Sequence, residues 1–428
     1  MPLGGLIAAL CLATAAPDAD SACEQAWRRV METLWSPKTG LIYDYVTLDE
    51  SGRESSVAHL PTPEEIALQF PNPNGWLTGM EDCVLRGGPM LLAALERLRA
   101  HGGTDATARE TVEKVFAGLK RCATVSGIPG FVARSLSPVD GKSYFCNSSR
   151  DQYTLFCYAL WRYCRSGYAD EARQDEIRAL LKDVACFVKR CLDDPAAELS
   201  LLRADGKPAY VSQLWGTGIK PHESLRASMM FGTAWSVTGD PLWRDEMRRY
   251  AADGIRIAET PIPGKLALFA LYQAQVSHRL LWEVETDPTL KAGYERLLER
   301  YGAMAEGRLS DLEKIMAELK PGELVSPVSP WRAAKMRYQE KRLIHGRPYA
   351  VPEIPRYYYV RAVGDDLGVA ILARALTPSG NVPADEAAQF HRIFTSVDWS
   401  RYPNSAMTHS ILAYWTLQAG RRTAVPRD

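Results

Sequence analysis

The chain has 428 residues, 46% apolar and 24% charged, which gives length for a large buried core and none of the bias of a disordered or fibrous protein. Lysine plus arginine and aspartate plus glutamate number 51 each, so the net charge is zero and no basic nucleic-acid-binding surface is implied. No P-loop, no GxGxxG after a strand and no HExxH occurs, so no motif asks for a cofactor or a metal.

The N-terminus reads MPLGGLIAALCLATAAPDADSACEQAW. Its small apolar run over residues 3–16, followed by Pro17 and a polar stretch, resembles a secretory signal peptide, although no Lys or Arg precedes the apolar core. The expectation is a leader over residues 1–22, a secreted or periplasmic protein, and one domain over residues 23–428. A loosely packed N-terminal helix is the competing reading. No run in the mature chain is long enough to span a membrane. Beyond the leader stand Cys23, Cys83, Cys122, Cys146, Cys157, Cys164, Cys186 and Cys191. They fit an oxidising compartment, but a chain this long does not need disulfides, and buried thiols with one or two bridged pairs are expected.

Two kinds of helical pattern alternate along the chain. Segments 24–34, 106–125, 173–191, 241–258, 290–319 and 384–394 carry charge on one side. Segments 82–98, 151–165, 224–237, 266–281, 366–376 and 405–419 are rich in Ala, Gly, Leu and aromatics, with few charges after the first turn. Helices apolar all round belong inside, and those with one charged face belong outside. The expected fold is therefore all-α, an (α/α)6 toroid with a few short strands in loops. Strand patterns are confined to GLIYDYVTL near residue 40 and PGFVARSLS near residue 130. No internal sequence repeat points to an open solenoid.

In such a ring all inner helices run the same way, so their N-termini and positive dipole ends share one mouth. The residues opening them are therefore the candidate site. They include Trp76, Glu81 and Asp82, then Asn147, Arg150, Asp151 and Gln152. Trp215, His222 and Glu223 follow, then Tyr358 with Asp365 and Asp366, and His409 before the last helix. Aspartate at a helix start is first a cap. Recurring beside Trp, Arg and His, it also suits a sugar site, where aromatic faces stack on pyranose rings and carboxylates act as acid and base.

The stretch GMEDCVLRGGPMLLAAL resembles the inner-helix motif of unsaturated glucuronyl and rhamnogalacturonyl hydrolases in the six-hairpin glycosidase superfamily, and SRDQYTLFCYALWRYC resembles the next such motif. The resemblance implies that Asp82 and Asp151 face the substrate, one as general acid/base; the family's remaining sugar-contacting pattern is not matched. His222 completes the candidate catalytic set. Trp76, Glu81, Asn147, Arg150, Gln152, Trp215, Glu223, Tyr358 and His409 form the candidate sugar contacts. Hydrolysis of a uronate-containing saccharide leads. The alternative is a polysaccharide lyase with a Tyr or His base beside Arg150 and Asn147. A non-catalytic sugar-binding protein is the third reading.

Overall fold

The computed structural model describes residues 18–320, 322–344 and 347–423, so most of the expected leader lies outside the described residues. Among the described residues fifteen α-helices follow in order. They are α1 (Ala19–Arg29), α2 (Pro63–Ala67), α3 (Cys83–Ala100), α4 (Ala106–Thr124), α5 (Arg150–Cys164), α6 (Glu171–Asp193), α7 (Arg226–Thr238) and α8 (Pro241–Arg249). After these come α9 (Ala251–Ala258), α10 (Leu268–Val284), α11 (Pro288–Ala303), α12 (Arg308–Glu318), α13 (Pro355–Ala375), α14 (Ala384–Ser396) and α15 (Met407–Thr423).

The ring closes. Helix α3 packs on α5, α5 on α7, α7 on α10, α10 on α13, α13 on α15, and α15 back on α3. Around it lie α1, α4, α6, the α8–α9 pair, the α11–α12 pair and α14. This is the expected (α/α)6 toroid. Inner helices are buried nearly throughout, as in α5, where all but Asp151 and Arg162 are out of solvent. Outer helices bury one stripe, as in α6 with Ile177, Leu181, Val184, Val188 and Cys191. All eight cysteines from Cys23 onward are free thiols, and no bridged pair forms among them. Among the described residues, no helix is long and apolar enough to cross a membrane.

Three antiparallel strand pairs decorate the ring: β1 (Thr47–Leu48) with β2 (Glu54–Ser55), β3 (Ser200–Leu202) with β4 (Pro208–Gln213), and β5 (Lys335–Ile344) with β6 (Arg347–Glu353). The last two lie outside the sequence expectation: β3 is only three residues long and shifts register against β4, and β5 is rich in charge, so neither pair shows the alternation of a strand. Conversely, the segment near residue 130 is buried extended chain and forms no strand. Expected helix 290–319 is broken before Gly307, which takes a left-handed φ of 72°. Helix α13 begins at Pro355 rather than near Asp366, because a proline at the first helical position costs no hydrogen bond. Its first turns join a satellite core of Tyr45, Leu77, Val328, Trp331, Val351, Ile354 and Tyr357, which fastens the β5–β6 hairpin over one side of the mouth.

Helices α13 and α15 cross with backbones almost touching. A Cβ on Gly364 would stand 2.7 Å from the Met407 nitrogen, and one on Gly368 would stand 2.2 Å from the His409 carbonyl carbon. Glycine is required there because backbone cannot yield as a flexible side chain can. Gly368→Ala is expected to lower unfolding free energy by about 1–3 kcal/mol, read as a reduced urea midpoint at unchanged slope.

Candidate active site

Aspartates open inner and outer helices in different ways. On the outer helices Asp105, Asp170 and Asp287 are ordinary caps, accepting the amides of Ala108, Arg173 and Leu290 at 2.8–3.0 Å. None of the residues preceding α3, α5, α7, α10 and α13 caps with its side chain. Asp82 stands at the cap position of α3 yet makes no capping bond, and Ser149, not Asp151, occupies that position on α5. The expected capping role of Asp82 and Asp151 is therefore corrected: both carboxylates are turned elsewhere.

Asp82 lies in a cage of guanidinium groups. Its Oδ1 accepts from Arg134 Nη2 at 3.2 Å and Gln152 Nε2 at 3.0 Å, and its Oδ2 stands 2.9 Å from Arg361 Nη2. Burial works to raise its pKa, but Arg361, Arg86 and Arg134 together hold it below the usual carboxylate range. Asp365 shares the cage: it pairs with Arg86, stands 3.1 Å from Arg361 Nε and 2.9 Å from His409 Nδ1, and is likewise held ionised against its burial. Beneath the cage, the buried Asp44 carboxylate accepts the amides of Glu81 at 2.7 Å and Asp82 at 3.0 Å. Burial and the Asp82 charge push Asp44 up to about 7.

Above the cage opens a cavity of about 300 Å³. Tyr358, Arg361, Ala362, Asp365 and Asp366 line it from α13 at the 3–4-residue spacing of one helix face. Asp366 lies outside the cage, so burial and the Asp365 charge push its carboxyl up to about 7, only partly offset by Arg308 and Arg361. Asp151 lines the cavity from α5, across the ring from α13; its side chain is 38% exposed and stands 3.5 Å from Arg226 Nη1. Trp76, Phe269 and Tyr358 supply aromatic wall, with Tyr358 57% exposed. Val211 completes the wall at a φ of 55°, a left-handed conformation that costs a β-branched residue about 1–3 kcal/mol and is typical of constrained functional loops.

Of the candidate residues, Trp76, Glu81, Asp82, Asp151, Tyr358, Asp365 and Asp366 meet at this cavity. The others do not line it. Gln152 braces from behind, accepting the Leu85 amide at 2.9 Å while donating to Asp82. Arg150 is bound to Glu223 Oε1 at 2.6 Å and to the Gln213 carbonyl. Asn147 is buried, binding Asn74 and accepting the Tyr210 amide at 3.2 Å. His222 sits in a single turn before α7, and burial pushes its pKa down to about 4 despite the Glu223 charge, so it is neutral. Trp215 packs edge-on against Tyr250, and His409 is buried against Asp365. Arg134, Arg361, Phe269 and Asp44 are functional-site residues that the sequence reading does not single out. The one usable signal is the acidic doublet Asp365-Asp366, one turn beyond Arg361 on the same helix. Among the described residues, no three His, Cys, Asp or Glu side chains gather as a metal ion would need.

No family model matches the sequence, and no curated protein matches it either. In shape the chain is similar to a family 76 glycoside hydrolase from a bovine Bacteroides thetaiotaomicron strain, with a TM-score of 0.50 and 10% identity over 95% of this chain and 78% of that one. A sugar epimerase from a ruminal bacterium also matches, at a TM-score of 0.47 and 9% identity over 94% of this chain and 99% of that one. At such identities the likeness is one of fold.

The raised Asp366 carboxyl has a consequence for stability. Between about pH 4 and 7 the folded chain keeps a proton that the unfolded chain has released, so stability falls as pH rises through that window and levels off above it. Asp44 adds a slope of the same sign. Asp366→Asn is expected to match the parent near pH 4 and to exceed it by about 1–2 kcal/mol at pH 8 by chemical denaturation, partial exposure being allowed for.

Proposed function

We propose that this protein is a glycoside hydrolase whose substrate enters the cavity at the N-terminal mouth of the toroid. The observation that carries this reading is the pairing of Asp366, a carboxyl that keeps its proton up to about pH 7, with Asp151 across the same aromatic-walled cavity. Asp366 donates a proton to the departing glycosidic oxygen, while Asp151 serves as nucleophile or as base toward water. Asp82 does not fit the proton donor's part, since three arginines keep it ionised. It and Asp365 hold Arg361 in place, and burial together with the Asp365 charge keeps Asp366 protonated.

A neutral saccharide fits better than the uronate that the sequence resemblance implies. Recognition of a uronate needs an uncommitted guanidinium fork. Arg134, Arg361 and Arg86 are engaged by Asp82 or Asp365, Arg150 by Glu223, and Arg226 by Thr154, Gln273 and Asp151. The same engagement weakens the lyase reading: of its candidate groups only Tyr358 lines the cavity.

The leader is proposed to end just before Asp18. Asp18 caps α1 by accepting the Ser21 amide at 2.7 Å, and Ala22 and Cys23 are buried, so removal beyond this point would strip a packed turn. Mass spectrometry of exported protein should then find a mature N-terminus within a few residues of Asp18; intact Met1 in exported protein would refute it.

The hydrolytic reading is tested by reducing-end release from a panel of neutral plant and fungal polysaccharides. Asp366→Asn and Asp151→Asn are each expected to lower turnover about a hundredfold to ten-thousandfold while folding is kept. Parent activity should decline as pH rises through about 7, because the donor then loses its proton. Rising ultraviolet absorbance on a polyuronate would establish elimination instead, and a new sugar epimer without new reducing ends would establish isomerisation.

A further inference from the structure

The C-terminal ends of α3, α5, α10, α13 and α15 enclose a second cavity, of about 450 Å³, at the opposite mouth. Its volume lies within the range of small-molecule sites. Tyr158 and Tyr272 form part of its wall and are only 4% and 2% exposed. Neither hydroxyl bonds another group among the described residues, and with their rings buried both are left facing the cavity. Burial pushes the Tyr158 hydroxyl up to about 12, so it keeps its proton and can donate.

Arg162 lies beside both tyrosines and is 35% exposed. It stands 3.7 Å from Glu96 and 3.7 Å from Glu283, beyond hydrogen-bond range of either. Those carboxylates are already bonded, Glu96 by Arg99 at 2.7 Å and Glu283 by Arg279 at 2.6 Å. The remaining positive charge of Arg162 faces the negative dipole ends of the surrounding helices, so the cavity is close to electrically balanced. It offers donors on Arg162 and the two phenols, and an acceptor on Glu96. That mixture suits a ligand whose groups both donate and accept and which carries no charge: vicinal hydroxyls.

We infer that this second cavity is a binding site for a neutral sugar residue, held by Tyr158, Tyr272 and Arg162. The inference stands apart from the hydrolytic reading, since no catalytic group is needed. The test is saturation-transfer NMR titration of the full chain with D-glucose, D-mannose and D-galactose, on the parent protein, on the double variant Tyr158→Phe, Tyr272→Phe, and on Arg162→Gln. At least one hexose should bind the parent at millimolar concentration, and the double variant should bind it about 5- to 50-fold more weakly. Arg162→Gln should weaken it as well, and it gives an independent answer should the double variant fold poorly. Absence of hexose binding to the parent, or unchanged titrations in folded variants, would overturn the site. Reducing-end release left intact in the same variants would separate this result from that of the other mouth.

Discussion

The mouth of this toroid is organised by guanidinium groups buried along its axis. Arg86 is fully buried and Arg361 half-buried, and both are shared between Asp82 on α3 and Asp365 on α13. Such clusters add little net stability, because desolvating the ions offsets their attraction. Their effect here is positional and electrostatic. The arginines tie α3 to α13 across α15, keep two carboxylates charged, and leave the neighbouring Asp366 outside the cage, where burial and the Asp365 charge outweigh the pull of Arg308 and Arg361. Two aspartates adjacent in sequence thereby acquire opposite protonation states, the condition for acid–base chemistry near neutrality.

Much of the ring is legible from local pattern. Whether a helix is apolar all round or on one stripe follows from the layer it occupies, and that distinction runs unbroken along the chain. The aspartates carry less information, since Asp82 and Asp105 look alike in sequence. Only the fold shows that Asp105 bonds the amides of its helix while Asp82 is drawn into the arginine cage. Asp366 is obscured by a displaced boundary. With α13 starting at Pro355, the residue lies three turns into a helix rather than at its opening. Arg134 comes from an irregular loop whose apolar residues imitate a strand, and no periodicity marks it.

The two mouths differ as the helix dipoles dictate. Carboxylates gather where inner helices begin, and Arg99, Arg162 and Arg279 stand where they end. Charges so placed are favoured by the scaffold itself. A surplus or an unbonded group at either end is therefore more telling than the charges alone: at one mouth it is the protonated Asp366, at the other the unpartnered phenols.

The seam between α3 and α15 bears on how the chain is made. Helix α15 follows every other helix of the ring along the chain, and it must pack against α3, whose residues lie some three hundred positions earlier. Until then the flanks of α3 and α13 present apolar surface to solvent, including the Gly364–Gly368 face that fits only α15. Contacts of such long sequence separation slow folding and leave incomplete chains prone to association. A truncation within the final hairpin therefore does not yield a smaller stable protein; it leaves an open arc with a sticky edge at each end.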